Sequence, residues 1–290
     1  MPKILTIIVT YNGMKWLDQC LTSLKNSSVP TDIFLVDNGS TDGSIEFIKE
    51  NIPEAIFIKS KENLGFGKAN NLGLKYALQN GYDYVYLLNQ DAWIESDLLD
   101  KMITASKERP EYGILSPLQT NKEKTRLDKN FSECLPTKLS SDLLCRQTLD
   151  NVYETKFTMA AHWLIPVDKL KIIGGFSPAF RHYGEDNNLI HRMINKGFKI
   201  GIVPTAKGVH DRENRPLPLE KDRYLNYVHT IVNLNNPNQK RYLTFLIRKT
   251  ISQMLGSKLF SFKYAIMSIQ DYFKSKTYLK QYKEPTAFIK

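Results

Sequence analysis

Apolar residues in the first ninety positions switch repeatedly between two periods. Residues Lys3 to Val9 form a β-branched run, whereas Trp16, Leu17, Cys20, Leu21 and Leu24 recur at the spacing of one helix face. A strand followed by a helix is predicted. A second short run, from Asp32 to Val36, breaks at Asp37-Asn38-Gly39-Ser40-Thr41-Asp42-Gly43, and Ile45, Phe47 and Ile48 then open another helix. The stretch from Ala55 to Ile58 predicts a third strand, and that from Leu64 to Leu78 a helix entered through a glycine-containing turn. Tyr84 to Leu88 predicts a fourth strand, which ends in Asn89-Gln90-Asp91. Strands alternating with helices are the signature of βαβ units, so the pattern predicts an α/β fold with a mainly parallel sheet flanked by helices.

Beyond residue 120 the pattern changes. Thr120 to Asn151 is polar without a clean period and reads as a long loop or lid with short elements. Phe157 to Ile165 is strand-like, and Lys169 to Ile173 is a short helix stopped at Gly174-Gly175. Glu185 to Lys196 is a helix ended by Gly197, and Lys199 to Val203 is a last strand closed by Pro204. From Arg223 onwards apolar residues fall at helical intervals, with Leu243, Ile247, Ile251 and Met254 in one set and Leu259, Phe262, Ile266, Ile269 and Phe273 in another. The last seventy residues thus predict a pair of amphipathic helices.

With 42% hydrophobic and 24% charged residues, the 290-residue chain has the balance of a globular protein, which excludes collagenous, low-complexity and largely disordered classes. No apolar run approaches the roughly 18 to 20 residues needed to span a bilayer, and the first residues lack a signal-peptide pattern. Cys20, Cys134 and Cys145 have neither CxxC nor zinc-ligand spacing. A cytoplasmic protein is the expectation. The net charge of +10 is unevenly placed: residues 221–290 hold 13 Lys or Arg against 3 acids, and the preceding 220 residues are formally neutral. A basic tail rich in Tyr and Phe suits an anionic membrane surface, although an ordinary helical cap also accounts for it. Nucleic-acid binding is the third reading of the tail, and no RNP, zinc-finger or helix-turn-helix signature accompanies it.

In open α/β sheets, ligands sit outside the carboxyl ends of the strands. That rule selects Thr10-Tyr11-Asn12, Asp37 to Gly43, and Asn89-Gln90-Asp91. The Tyr11 ring suits stacking on a base and the Asp37 carboxylate suits accepting its imide proton; the second loop also reads as a polar turn with Ser40 or Thr41 as helix N-cap. There is no GxGxxG and no GxxxxGK[ST], so dinucleotide dehydrogenases and P-loop NTPases are disfavoured. Asp91 ends an apolar run, where packing explains a carboxylate poorly and a divalent cation explains it well. His210 is a candidate second ligand. Glu185 and Asp186 open a helix, either as dipole-stabilising charges or with one of them as a general base.

Six segments in order now carry a resemblance: Ile8 to Asn12, Val36 to Ser44, Asn63 to Asn71, Leu88 to Ala92, Gly184-Glu185-Asp186 and Val209-His210-Asp211. Across roughly residues 3 to 212 they resemble the signposts of family 2 glycosyltransferases, in the flavour of the bacterial rhamnosyltransferase-like branch. The resemblance implies a GT-A type, Rossmann-like fold over residues 1–218, with a nucleotide-binding half to about 118, an acceptor half from 119, and a basic helical tail at 219–290. It implies an inverting hexosyltransferase that uses a nucleotide-diphospho-sugar (dTDP-rhamnose or a UDP-sugar) and a saccharide or lipid-linked acceptor in cell-surface polysaccharide synthesis. It would work peripherally on the inner face of the cytoplasmic membrane. Thr10, Tyr11 and Asp37 would hold the nucleobase beside Asn12 and Asn38, with Asn70 near the nucleotide. Asn89-Gln90-Asp91 takes the place of the family's DxD motif, with Asp91 as ligand to Mn²⁺ or Mg²⁺ and His210 as its partner. Asn89 stands where that motif has its first acid and contributes no charge, which leaves strict metal dependence open. Asp186, next to Glu185, corresponds to the family's base. His162 and Trp163 could line the acceptor side, while core packing is the other reading of Trp163. The competing reading from another class is a nucleic-acid-binding or non-catalytic carbohydrate-binding protein that uses the basic tail.

Overall fold

The structure, a computed structural model, describes residues 1–212, 219–240, 244–245, 247–248, 251 and 262–281. The chain opens with β1 (Ile4–Thr10), α1 (Met14–Lys25), β2 (Asp32–Asp37), α2 (Ser44–Asn51), β3 (Ile56–Lys59), α3 (Phe66–Gln79) and β4 (Tyr84–Asn89). It continues through β5 (Ala92–Ile94), α4 (Leu98–Glu108), β6 (Tyr112–Thr120), α5 (Lys129–Ser132), α6 (Thr137–Leu144) and β7 (Tyr153–Thr155). Then follow β8 (His162–Pro166), α7 (Val167–Ile173), α8 (Glu185–Asn195), β9 (Lys199–His210), α9 (Leu219–Leu234) and a helix labelled α10 here (Phe262–Gln281).

One sheet runs in the order β3-β2-β1-β4-β8-β6-β9-β5, with β7 pairing with β9. The first four strands are parallel, and their register puts Thr10 opposite Asp37 and Val9 opposite Asn89. Three strands therefore end level, and the loops that follow them emerge side by side. Side chains alternate across β1: Ile4 and Ile8 join one core with Leu17, Leu21 and Met102, whereas Leu5 and Ile7 join the other with Leu74, Trp163 and Leu189. The sheet is thus covered on both faces, by α1, α2 and α4 on one side and α3, α7 and α8 on the other. That burial is why its strands read as near-continuous apolar runs.

The expectation of a mainly parallel sheet holds for the first half only. β8 is antiparallel to both β4 and β6, and β5 and β7 are antiparallel to β9, so the second half is mixed. The strand read from Phe157 is confined to His162–Pro166. The polar stretch at 120–151 contains α5, capped by the Asp128 carboxylate on Phe131 N at 2.9 Å, and α6. The strand predicted to stop at Pro204 instead runs on to His210. Its pairing with β6 jumps between Val203 and Lys207, and in that irregularity a residue without an N–H costs no ladder bond.

In the tail, α9 buries Val228, Ile231, Val232 and Leu234 in a cluster with Phe180. α10 packs on α9 through the Tyr227–Tyr264 stack, with ring centroids 5.5 Å apart, and through a Tyr227 hydroxyl bond to Asp271. The predicted helix through Leu243 and Met254 lies largely outside the described residues. No helix among the described residues is long and apolar enough to cross a membrane.

Candidate functional site

The loop after β1 is held from both neighbouring strands. Gln90 accepts from Thr10 Oγ1 at 2.8 Å and from Tyr11 N at 2.9 Å, and its own amide donates to Tyr11 O at 3.2 Å. The middle residue of the triplet is thus spent on shaping the loop. Asn12 has φ +49°, a left-handed position that Asn tolerates, and its backbone N–H donates to Ser40 Oγ at 2.9 Å while its Oδ1 accepts from Thr41 N at 2.9 Å. The Tyr11 side chain is left exposed above this turn.

Asp37 is fully buried and accepts from Gly39 N at 3.0 Å and Ser40 N at 3.1 Å. Its carboxylate therefore builds the turn, with lone pairs to spare for one more donor. Neither Ser40 nor Thr41 caps the next helix. Gly43, at φ +88°, is the N-cap of α2, and Asp42 accepts from Ser44 N at 3.1 Å and from Met14 N at 3.0 Å. Asn38, also buried, reaches across to Gly65 O and Leu64 N, which ties this loop to the start of α3. Asn70 lies in α3 with its amide donating to Phe66 O at 3.0 Å.

Asp91 and His210 meet at the ends of β4 and β9. Antiparallel pairing sets Ala92 opposite His210, and His210 Nε2 lies 3.5 Å from Asp91 Oδ1. Burial pushes the Asp91 carboxyl up, but the His210 hydrogen bond and charge, with the Arg212 charge, outweigh it and hold the group below its ordinary value. Arg212, two residues past His210, was not singled out by the sequence reading, and the His-Asp-Arg run was its available signal. Its Nη2 is 3.4 Å from His210 Nδ1, and its Nε is 3.4 Å from Asp128. With Lys122, Arg126 and Lys129, it lines a cavity of about 200 Å³ beside His210.

Among the described residues, no group of three or more His, Cys, Asp and Glu side chains gathers to hold a metal. Asp91 and His210 instead offer an ionised carboxylate and an imidazole nitrogen on one side of the strand ends. That donor set fits a hard cation that draws its remaining ligands from water and phosphate oxygens.

Glu185 and Asp186 open α8 behind Gly184, whose φ of +84° places it in the left-handed region. Glu185 is 7% exposed, and its Oε2 has no hydrogen-bond partner. Burial, reinforced by the Asp186 charge, pushes its pKa up to about 7. Burial also raises Asp186, against the opposing bonds from Asn187, whose N–H lies at 2.7 Å. A carboxyl raised in this way is a better proton acceptor.

The acceptor-side expectation for His162 and Trp163 is corrected by their burial. Both are fully enclosed in β8. His162 bonds the Tyr86 hydroxyl at 2.7 Å and Val209 O at 2.9 Å, and burial lowers its pKa to about 3, so the ring is neutral and structural. Trp163 stacks on Phe176 with centroids 6.4 Å apart and an interplanar angle of 14°.

A family profile described as Glycosyl transferase family 2 matches residues 6–162, more than half of the chain. A dTDP-rhamnosyl transferase RfbF of Shigella flexneri is 23% identical over 209 residues, covering 71% of this chain and 68% of the relative. An N-acetylglucosaminyl-diphospho-decaprenol L-rhamnosyltransferase of Mycobacterium tuberculosis is 30% identical over 121 residues, covering 39% of each chain. The chain spans 42% and 30% of the lengths of two further curated relatives. Among solved structures, S. aureus TarS 1-349 in complex with UDP matches with a TM-score of 0.59 at 16% identity, over 94% of this chain and 80% of that one. At that identity the likeness concerns the GT-A type fold.

Proposed function

The chain belongs to glycosyl transferase family 2, and from that membership we propose that it transfers a hexose from a nucleotide-diphospho-sugar to a saccharide or lipid-linked saccharide in cell-surface polysaccharide synthesis. dTDP-rhamnose is the first donor to try and UDP-sugars the second, on the strength of the rhamnosyl transferase relatives. One observation carries the reading most. His210 Nε2 meets Asp91 Oδ1 at 3.5 Å directly after β4, beside the level ends of β1 and β2, which supports a diphosphate-binding end there.

In this reading Tyr11 lies along the nucleobase, Asp37 accepts from it, and Asn12, Asn38 and Asn70 shape the nucleotide side. Asp91 and His210 would hold a Mn²⁺ or Mg²⁺ ion, which when bound offsets the charge of the leaving diphosphate. Asn89, at the triplet's first position, offers an amide for ribose or phosphate. Asp186 takes the proton from the acceptor hydroxyl as that oxygen attacks the anomeric carbon from the face opposite the diphosphate, which inverts the centre. Arg212 presents a fixed positive charge toward the departing phosphate.

The tail supports a peripheral role at an anionic membrane surface. α10 leaves Ile266, Ile269 and Phe273 exposed on a tail that holds the whole net charge. Such a placement would keep the catalytic body near an acceptor confined to the bilayer. The test is a panel of UDP- and dTDP-sugars assayed for release of the nucleoside diphosphate, with and without Mn²⁺. We expect one donor to turn over and Asp186→Asn to lower its turnover by about 10² to 10⁴ with UDP or dTDP affinity unchanged. A protein inert toward the whole panel overturns the reading, and an undiminished Asp186→Asn overturns the assignment of the base.

A further inference from the structure

Asn71 lies one position past the asparagine that the sequence reading selected, and it does something different. Its Oδ1 accepts from Phe176 N at 2.7 Å and its Nδ2 donates to Phe176 O at 2.9 Å. Two bonds from one amide to one residue fix the peptide planes on both sides of Phe176. That residue is 1% exposed, with its ring stacked on Trp163 and edge-on to Phe66 at 5.6 Å. The segment that leads to Glu185 is thus anchored to α3 by main chain and ring together.

A second anchor comes from the other side. Arg192, 3% exposed and two turns along α8 from Glu185, donates to Ile173 O and Gly175 O, each at 2.5 Å, and its Nε donates to Asn188 Oδ1 at 3.1 Å. The connections run in series: α3 to Phe176 through Asn71, and residues 173–175 to α8 through Arg192. The glycines of α3's first turn permit the close approach this requires. A Cβ on Gly67 would stand 3.0 Å from Phe176 Cβ and 3.7 Å from Glu185 Cβ, and one on Gly65, at φ +78°, would stand 2.5 Å from Arg181 O. Gly65 also receives Asn38 from the loop after β2. One short stretch of chain therefore touches the nucleotide side with one end and the carboxylate pair with the other.

We propose that Asn71 is a positioning residue for transfer, setting the base-bearing end of α8 against the nucleotide side through its double bond to Phe176. The proposal rests on Asp186 being the base. The Asn71 amide is engaged with Phe176, so on this proposal its loss acts on the rate at saturation and not on nucleotide affinity. A misplacement of about 1 Å costs on the order of 10²-fold in rate.

The test is a double-mutant cycle on the full chain, using the donor that turns over, with UDP and dTDP as binding probes. We expect Asn71→Ala to lower kcat by about 10²-fold at unchanged donor KM and unchanged UDP or dTDP affinity. In an Asp186→Asn background the same substitution should cost less than about threefold, because the geometry it spoils no longer serves a base. Asn71→Asp, which keeps the bond from Phe176 N and loses the one to its carbonyl, should fall between wild type and Asn71→Ala, and it serves as the folded variant if the alanine protein is unstable. Equal factors in both backgrounds, a changed nucleotide affinity, or an unchanged kcat overturns the proposal. If Asp186→Asn alone keeps full turnover, the base assignment has failed instead, and the cycle run with Glu185→Gln reads the positioning role.

Discussion

Replacing Glu185 by Gln should make the protein more stable in alkaline solution and leave it unchanged in acid. The native carboxyl titrates at about 7, against 4.5 ordinarily, because burial and the neighbouring Asp186 charge oppose its ionisation. A native pKa above the unfolded one means that the folded state holds the proton more tightly. The associated stabilisation is full below about pH 4.5, declines as the pH rises, and is gone once the pH has passed about 7. The interval corresponds to roughly 3 kcal/mol. Gln has nearly the same shape and cannot ionise, so the variant lacks this decline. Thermal or urea unfolding of both proteins from pH 4 to pH 9 measures it, since titrations not coupled to Glu185 cancel in the difference. The curves should coincide near pH 4 and separate above pH 7, by roughly 3 kcal/mol or about 6 to 10 °C in Tm. Parallel curves across that range would show that Glu185 is ionised in the native protein at ordinary pH, and the argument from its burial would be wrong.

Asp91→Asn should abolish whatever Mn²⁺ adds to UDP or dTDP affinity, as should EDTA on the wild type; calorimetry that found the metal-dependent gain intact in the variant would remove Asp91 from the metal site. Ile266→Asn combined with Phe273→Asn should cut sedimentation with anionic vesicles several-fold while leaving Tm nearly unchanged, because both side chains are exposed. Added salt should weaken the wild-type interaction, and equal pelleting of variant and wild type would rule the membrane role out.

The first four strands were legible because each is short, apolar and followed by a polar loop, and the structure sets the ends of β1, β2 and β4 level with one another. The second half was less so. The segment after Asp91 forms β5, α4 and β6 without having been assigned, and Pro204 hid half of β9 because a strand through proline is expected only at an irregularity. Side-chain roles were harder still. Asn70 and Asn71 look alike in a sequence, and only the packing of α3 against the loop at 176 shows that one bonds its own helix and the other bonds a segment 105 residues away. Trp163 and His162 looked like ligands because they precede the Glu-Asp helix, but antiparallel pairing with β4 puts them in the sheet interior. Arg212 escaped notice because its partners, Asp128 and His210, come together only when the long polar segment folds beside the end of β9.

The packing of α9 on Gly184 bears on the order in which a newly made chain becomes complete. A Cβ on Gly184 would lie 2.7 Å from Val232 and 2.8 Å from Val228, and Tyr224 donates its hydroxyl proton to His182 O at 3.1 Å, so the turn before Glu185 is walled in by residues translated some forty positions later. The parallel strands β1 to β4 are all synthesised by Asn89. During N-to-C synthesis the parallel half of the sheet can thus assemble while the turn before Glu185 is still open on one side. A chain halted before α9 would carry the level ends of β1, β2 and β4 while the turn before Glu185 lacked one of its walls, and the arrival of α9 would close it.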